Sequence, residues 1–282
     1  MPRPPRLLVI DPSVAWPEDE GVRVAVGDWP GEVVLLRPAL SRGDGPGPGD
    51  GHDAEGVLLL GSRASVHDDR PWLRALGEWL DPVLRGDRPL PLLGICFGHQ
   101  LIARRAGSPV GYVHADRRQE LGVRETEIEE SRLTPGAGRM RVVASHRERV
   151  ERVPPRFRVF ARREGVPVDA MEHDSLPIFS VQFHPEARAG FLTRRGADAG
   201  ALDAGAAEAN DRLLAEFRRL ALAARPAPTR VSAGGGPRPG RLPGPGRSSW
   251  SARMRSLRAM LLVALALPPG VPALSGETAE EA

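Results

Sequence analysis

The only cysteine of the chain, Cys96, lies in the segment whose residue types are best suited to catalysis. This segment, Leu92–Ala103, has the sequence LLGICFGHQLIA, and an apolar strand leads through Gly94–Gly98 directly into a helical pattern. The spacing is that of a G-x-S-x-G nucleophile elbow with sulfur in place of oxygen. Glycines allow the sharp turn, and the helix N-terminus favours a thiolate. A buried structural cysteine in a tight turn would look the same, so the segment alone leaves both interpretations open.

A second segment supplies a candidate base and a carboxylate to orient it. Ser180–Glu186 has the sequence SVQFHPE, an apolar strand that ends in His184, Pro185 and Glu186. Proline favours an extended conformation at the residue before it, and residues two apart in extended chain face the same way. Glu186 would therefore hold the imidazole of His184, which would take the proton from Cys96. His-Pro-Glu alone is typical of a surface turn, but together with the elbow it favours a catalytic triad.

The two motifs together, GICFGHQ around Cys96 and QFHPE around His184, resemble those of class I glutamine amidotransferases. The sequence is most similar to the amidotransferase part of GMP synthase and to stand-alone proteins like it. The resemblance extends from about Leu7 to Leu222. It implies that Cys96 attacks the side-chain amide of glutamine and that water then cleaves a γ-glutamyl thioester, giving glutamate and ammonia. His184 would protonate the departing ammonia and activate the water, and we expect no cofactor.

The resemblance also implies which other residues contact the substrate. Two backbone N–H groups, those of Ser62 and Phe97, would form the oxyanion hole. The residues implied to bind the substrate itself are Gly61, Gln100, Ser145 and His146.

Two arginines depart from the family pattern near these positions. Arg63 stands where the family commonly has proline in the loop after the third strand, which loosens the loop and adds a charge near the pocket. Arg147 stands where the family often has glycine. Ser62 keeps its backbone donor, so we expect the oxyanion hole to be less well ordered rather than absent.

The sequence leaves open what becomes of the ammonia and which amide is cleaved. The C-terminal part is too short and too rich in glycine and proline to be an ATP-pyrophosphatase domain, so a separate synthetase subunit would receive the ammonia. One alternative is a γ-glutamyl peptidase that acts on larger γ-glutamyl amides with the same three residues. Another is a non-catalytic binding relative, which the intact Cys96, His184 and Glu186 disfavour.

Apolar runs and helical patterns alternate along the chain, which is typical of an α/β fold. We predict a three-layer sandwich with a mostly parallel central sheet, helices on both faces and a smaller antiparallel part. Asp68 and Asp69 before Pro71 predict a helix N-cap. The predicted strands are Arg6–Ile10, Val33–Leu36, Gly56–Leu60, Leu90–Ile95, Arg141–Ala144, Phe157–Ala161, Val168–Glu172 and Ile178–Phe183, and the predicted helices begin at Pro71, Phe97 and Ala207.

Composition narrows the function classes further. The chain has 282 residues and a formal net charge of +3, which disfavours a nucleic-acid binder. A small-molecule substrate, glutamine or a γ-glutamyl compound, is what the resemblance implies. One cysteine cannot form an internal disulfide or a cysteine zinc site. The remaining histidines show no ligand spacing, so we expect no metal; they are His52, His67, His99, His114 and His173.

The chain divides by composition near residue 224. Residues 1–224 are predicted to form the amidotransferase-like domain, and residues 225–282 a Gly/Pro/Arg-rich extension that cannot bury enough surface to fold. The longest uncharged apolar run, Ala259–Leu267, is too short to span a membrane, and the N-terminus lacks a secretory signal. We therefore expect a cytoplasmic protein.

Overall fold

A mixed β-sheet forms the middle layer of the fold. The structure, a computed structural model, describes residues 3–41, 45–47 and 49–224. Within these residues the strands are β1 (Arg6–Ile10), β2 (Glu32–Leu36), β3 (Gly56–Leu59), β4 (Leu92–Ile95), β5 (Val110–Tyr112), β6 (Glu120–Ile128), β7 (Gly138–His146), β8 (Glu148–Val150), β9 (Phe157–Arg163), β10 (Val166–His173) and β11 (Ile178–Val181). The α-helices are α1 (Asp19–Val26), α2 (Pro71–Arg85), α3 (Phe97–Arg105), α4 (Ala189–Thr193) and α5 (Ala204–Ala223).

Nine of these described strands join in one sheet, in the order β2-β1-β3-β4-β11-β10-β9-β6-β7. The strands from β2 to β11 run parallel to their neighbours. From β11 onward, β10, β9, β6 and β7 are joined by antiparallel pairing. The small pair β5 and β8 is antiparallel and separate.

Helices cover both faces of the parallel strands. Successive residues of a strand point to opposite faces, so Leu7 and Val9 of β1 pack in the cluster that contains α1 and α5. Leu8 and Ile10 pack in the opposite cluster, with α2 and α3. This arrangement explains why the parallel strands are apolar throughout. The predicted three-layer α/β sandwich, with helices on both faces and an antiparallel part, is confirmed.

The predictions for individual strands and helices agree with the structure in some places and differ from it in others. The bounds predicted for β1 agree with the structure, whereas α1 and β6 were not predicted. The expected N-cap of α2 is wrong: Arg70 holds the cap position with extended backbone and makes no side-chain cap bond. Asp69 instead pairs with Arg74, because an arginine within reach competes for the carboxylate.

Some expectations concern membranes, metals and the C-terminal segment. No helix in the described part of the chain is long and apolar enough to cross a membrane. In that same part, no three His, Cys, Asp or Glu side chains are arranged to hold a metal ion. Residues 225–282, predicted to be a disordered extension, lie outside the described residues.

Candidate active site

The turn between β4 and α3 holds Cys96 in a conformation that side-chain-bearing residues rarely adopt. Its backbone has φ 51° and ψ −98°, and it is the N-cap residue of α3. Both glycines of the elbow are sterically required. A Cβ on Gly94 would lie 2.8 Å from the backbone carbon of Gly98, and one on Gly98 would lie 2.3 Å from the carbonyl oxygen of Leu59. The predicted sharp strand–helix turn is therefore present, and strain at Cys96 is part of it.

Three neighbouring parallel strands bring the candidate site together. β3, β4 and β11 lie side by side, so the segments that follow them meet at one edge of the sheet. Gly61 follows β3, Cys96 follows β4 and His184 follows β11. The N–H of Cys96 donates to the carbonyl oxygen of Val181 at 2.8 Å, which fixes the elbow against the end of β11. The carboxyl ends of parallel strands are the usual position of ligand sites in such sheets.

His184 and Glu186 form a buried pair beside the thiol. Nδ1 of His184 donates to Oε1 of Glu186 at 2.8 Å, and both residues are only 6% exposed. The backbone N–H of His184 donates to the carbonyl oxygen of Val143 at 2.8 Å, and the ring packs on Phe191 with centroids 5.0 Å apart. The bond to Glu186 leaves Nε2 as the free edge of the ring.

Electrostatics favour the charged form of His184. Burial alone would lower its pKa, but the negative charges of Glu186 and of a Cys96 thiolate outweigh burial and raise the pKa to about 10. Nε2 has no directed hydrogen-bond partner among the described residues. The thiol of Cys96 points instead to the carbonyl oxygen of Ser145, 3.9 Å away. Cys96 and His184 are thus close enough to interact electrostatically, and a rotation of the Cys96 side chain would bring its thiol towards Nε2.

The loop after β3 lies against the imidazole. A Cβ on Gly61 would be 2.8 Å from Cε1 of His184 and 3.6 Å from Cβ of Cys96, so only glycine fits there. The hydroxyl of Ser62 donates to the carbonyl oxygen of Pro12 at 2.7 Å and accepts from the N–H of Ala64 at 3.1 Å. These bonds hold the loop although Arg63 replaces the family proline.

The side chain of Phe97 lies outside the lining of the cavity that contains Cys96. Its ring is fully buried and lies 5.9 Å, centroid to centroid, from that of Trp72. Phe97 is also the first residue of α3, where backbone N–H groups have no acceptor within the helix.

The amide of Gln100 is held by the protein. Its Nε2 donates to the carbonyl oxygen of Glu148 at 2.8 Å and to Oε1 of Gln182 at 3.1 Å. Its side-chain nitrogen is therefore occupied, and a substrate contact would have to use the amide oxygen.

His146 is also held by the protein. Nδ1 donates to the carbonyl oxygen of Glu148 at 2.9 Å, and Nε2 accepts from Nη2 of Arg163 at 2.8 Å. Burial, together with the guanidinium of Arg163, lowers the pKa of His146 to about 3, so the ring is neutral. No ring nitrogen of His146 is left for a ligand, and its predicted contact with substrate rests on its backbone.

A cavity of about 710 Å³ opens above this edge of the sheet. Trp16 and Tyr112 line it and are 76% and 42% exposed. Of the predicted site residues, the structure places all but Phe97 in its lining: Gly61, Ser62, Cys96, Gln100, Ser145, His146, His184 and Glu186.

Three residues that the sequence analysis did not select lie at the same place. Glu148 lines the cavity, Gln182 holds Gln100, and Arg163 lies behind His146. Glu148 could have been found from its position two residues after His146, and Gln182 from its place in the SVQFHPE segment. Arg163 has no local signal, because it reaches the site only through the pairing of distant strands.

Comparisons with known proteins give the family of the chain. A family model described as glutamine amidotransferase class-I matches residues 47–195. One subunit of the glutamine-hydrolyzing GMP synthase of Thermococcus kodakarensis is 46% identical over 111 residues, which are 39% of this chain and 56% of that protein. The corresponding protein of Methanothermobacter thermautotrophicus is 36% identical over 136 residues, 48% of this chain and 66% of that protein. The chain thus spans about half the length of the Thermococcus relative.

Solved structures share the fold at lower identity. A glutamine amidotransferase from Methylobacillus flagellatus superposes with a TM-score of 0.62 at 18% identity and covers 83% of this chain and 100% of that one. A glutamine amidotransferase from Thermotoga maritima superposes with a TM-score of 0.60 at 20% identity and covers 78% of this chain and 97% of that one. The α/β fold described above is therefore shared with proteins of known structure.

Proposed function

The chain belongs to the class I glutamine amidotransferase family, and from that premise we propose that it hydrolyses the side-chain amide of glutamine through a covalent thioester on Cys96. The single observation that carries the proposal is the meeting of Cys96, His184 and Glu186 in the lining of one cavity. A thiol beside an imidazole that is held by a carboxylate is the arrangement nucleophilic catalysis requires.

The first half-reaction makes the thioester. The thiolate of Cys96 attacks the amide carbon, a C–S bond forms and the carbonyl oxygen takes up the negative charge. The intermediate collapses by breaking the C–N bond, and His184 gives its Nε2 proton to the nitrogen, which leaves as ammonia. Glu186 stabilises the imidazolium before this transfer, consistent with the raised pKa of His184.

The second half-reaction returns the enzyme to its starting state. Neutral His184 takes a proton from a water molecule, whose oxygen attacks the thioester carbon. The C–S bond breaks, glutamate leaves and the thiolate and imidazolium are restored. Backbone N–H groups of Ser62 and Phe97 are proposed to bind the oxyanion in both steps. Phe97 is favoured for this role by its place at the N-terminus of α3.

The ammonia is proposed to pass to a separate synthetase subunit. The support is the name of the relatives, which describes each of them as one subunit of a glutamine-hydrolyzing GMP synthase. Copurification with a synthetase, and synthetase activity that depends on glutamine only when this chain is present, would test this step.

Hydrolysis of larger γ-glutamyl amides is the second candidate function. The cavity of about 710 Å³ is within the range of drug-sized ligands and has room for more than glutamine. Exposed Trp16 and Tyr112 in the lining could hold the rest of such a substrate.

One assay separates these functions. Glutamate release is measured with glutamine and with γ-glutamyl dipeptides, for the wild type, Cys96→Ser and Ser175→Ala, an exposed residue outside the cavity lining. We expect turnover of glutamine by the wild type and by Ser175→Ala, and a loss of roughly 10³-fold or more for Cys96→Ser. Turnover of dipeptides alone would favour the second candidate. Retained activity in Cys96→Ser would exclude Cys96 as the nucleophile.

A further inference from the structure

The strand β2 forms one edge of the nine-stranded sheet, and the middle of the strand is apolar. Among the described strands it pairs with β1 alone, in a regular parallel register without a bulge. Val33 and Leu35 are 38% and 39% exposed, and the residues between Glu32 and Arg37 include no charge, proline or glycine. Natural edge strands are commonly kept from pairing with other chains by charges, prolines or bulges. The centre of β2 has none of these.

The backbone groups of β2 alternate between β1 and the outer side. The N–H of Glu32 donates at 2.8 Å to the residue that precedes β1, and the carbonyl oxygen of Leu36 accepts at 2.8 Å from the residue that follows β1. Because alternate residues of a strand turn their backbone groups to opposite sides, Val33 and Leu35 direct theirs outward. Their two N–H and two C=O groups have no neighbouring strand among the described residues.

The side chains of Val33 and Leu35 lie on the same face of the sheet as α1 and α5. Leu7 of β1 lies opposite Val33, and Val9 lies opposite Leu35. Leu7 and Val9 pack in the cluster of that face, and opposite residues of neighbouring strands point the same way. The edge therefore combines two exposed apolar side chains with four outward backbone groups of the same two residues.

We propose that β2 pairs with the β2 strand of a second copy of this chain, antiparallel and about a two-fold axis at Val34. In this register Val33 lies opposite Leu35 of the second copy, and Leu35 lies opposite Val33 of the second copy. Each of these two opposite pairs exchanges both of its N–H···O bonds, so every outward group of Val33 and Leu35 finds a partner. The four apolar side chains meet on one face of the joined sheet and lose exposure to water. The edge is thus complementary to itself, as a two-fold interface must be.

The charges at the two ends of β2 favour the antiparallel arrangement. Glu32 begins the strand and Arg37 follows it, so antiparallel copies bring the negative end of each strand beside the positive end of the other. A parallel arrangement would bring like charges together. Glu32 bonds Arg6 and Arg37 bonds Asp11 within the chain. We therefore assign to these charges the orientation of the copies, and to the backbone bonds and apolar contact their cohesion.

Cysteine cross-linking of the full chain tests the register. In the Cys96→Ala background, Val34→Cys places the single cysteine on the two-fold axis, opposite itself in a non-hydrogen-bonded pair whose Cα atoms are about 4.5 Å apart. The cysteines of Val33→Cys would instead be diagonal neighbours roughly 7–8 Å apart, which is too far for a disulfide. Under one mild oxidant, we expect covalent dimers to form at least roughly 10-fold faster with Val34→Cys. Equal rates, or a faster Val33→Cys, would overturn the proposed register.

Sedimentation velocity of the full chain tests the association itself. We expect a wild-type dimer with a dissociation constant of roughly 1–100 µM, because the shared edge is short. Val33→Lys should raise this constant by roughly 10-fold or more, since it places a charge in each apolar contact. Val153→Lys is the matched control, because Val153 is 36% exposed and lies outside β2, and it should dimerise like the wild type.

Three results would overturn the proposal. One is a wild type that stays monomeric at about 100 µM, and another is Val33→Lys that dimerises as the wild type does. The third is a monomer whose backbone amides at Val33 and Leu35 are protected from hydrogen exchange, which would assign the edge to another segment of the same chain.

Discussion

At the scale of single residues, the charge of His184 decides what the candidate site can do. Burial opposes a charged imidazole, whereas Glu186 and Cys96 favour it, and the second influence is the stronger. In the proposed reaction, an imidazolium at this position holds the proton that the leaving nitrogen needs. His99 of α3, which lies three residues after Cys96, has the opposite charge preference. Its ring lies within bonding distance of Ser180 and Val168, and burial lowers its pKa to about 3.

Replacing Glu186 by glutamine should lower the pKa of His184. The variant Glu186→Gln removes a major cause of the raised pKa, while burial still lowers the pKa and Cys96 still raises it. We expect the pKa of His184 to fall from about 10, and glutamate release to fall by roughly 10²- to 10⁴-fold. NMR titration of the imidazole measures the first effect. Glu164→Gln, at an exposed glutamate, is the control, and an unchanged His184 pKa in Glu186→Gln would contradict the electrostatic account.

The same pKa gives the sign of a pH effect on stability. The folded-state pKa of His184, about 10, lies above its ordinary value of 6.5. Its contribution to the free energy of unfolding is therefore complete below pH 6.5 and is lost as the pH rises towards 10. We expect the stability difference between wild type and His184→Gln to shrink across this window, by at most about 1.4 kcal/mol per pH unit. Urea denaturation at several pH values measures it, and a difference that grows with pH would contradict this sign.

The strained backbone of Cys96 predicts an unusual stability order. Glycine in place of alanine commonly destabilises a protein, but at φ 51° and ψ −98° alanine keeps the strain and glycine relieves it. We therefore expect Cys96→Gly to have a higher free energy of unfolding than Cys96→Ala, by about 1–3 kcal/mol, with both variants inactive. Thermal and urea denaturation provide the measurement. Equal stability of the two variants would mean that the elbow stores no strain.

At the scale of elements, one arginine joins strands of the antiparallel half. Arg163, at the end of β9, has a side chain only 4% exposed, and it lies 2.6 Å from Glu120 of β6 and 3.2 Å from Asp169 of β10. It also donates to His146 of β7. The side chain thereby connects four strands and fixes the segment that carries Ser145.

Replacing Arg163 should lower the free energy of unfolding by more than the loss of a surface ion pair does. Arg163→Met would leave Asp169 buried without a counter-charge and would leave Glu120 with only the partly exposed Arg124, so we expect the free energy of unfolding to fall by about 3–5 kcal/mol. Arg139→Met is the matched control, since Arg139 pairs with Glu125 in an exposed position of the same sheet, and it should cost less than about 1 kcal/mol. Chemical denaturation compares the two, and similar losses would contradict the role assigned to Arg163.

Elements whose geometry is determined by adjacent residues could be predicted from the sequence, whereas elements that depend on distant parts of the chain could not. The elbow and the His-Pro-Glu turn carry their geometry in adjacent residues, and their surroundings follow from strand order. β6 has no such signal: its residues alternate weakly between charged and apolar types, and it exists because β7 pairs along its whole length. α1 has no side-chain cap at Glu18 that could have marked its start. The neutral, fully bonded state of His146 required a partner 17 residues away, Arg163.

At the scale of the whole molecule, the candidate site lies where two kinds of sheet meet. β11 pairs parallel with β4 on one side and antiparallel with β10 on the other. The parallel half supplies the elbow and the loop after β3, the antiparallel half supplies Ser145 and His146 through β7, and the separate pair of β5 and β8 supplies Glu148. Because the site is assembled from both halves, a loss of stability in either half should lower its activity. The proposed activity therefore requires the whole domain to be folded.

α5, the last helix among the described residues, determines where the domain can end. Phe217 and Ala221 are fully buried, and Ala221 packs so closely over Gly56 that a Cβ there would lie 2.8 Å from it. We therefore expect a chain ending at Ala224 to unfold at the wild-type temperature and to release glutamate at the wild-type rate. A chain ending at Asp211 lacks Phe217 and Ala221, exposes this face of β3 and should not fold. Differential scanning calorimetry and the glutamate assay compare the two. Loss of activity in a folded chain ending at Ala224 would mean that residues beyond it contribute to catalysis.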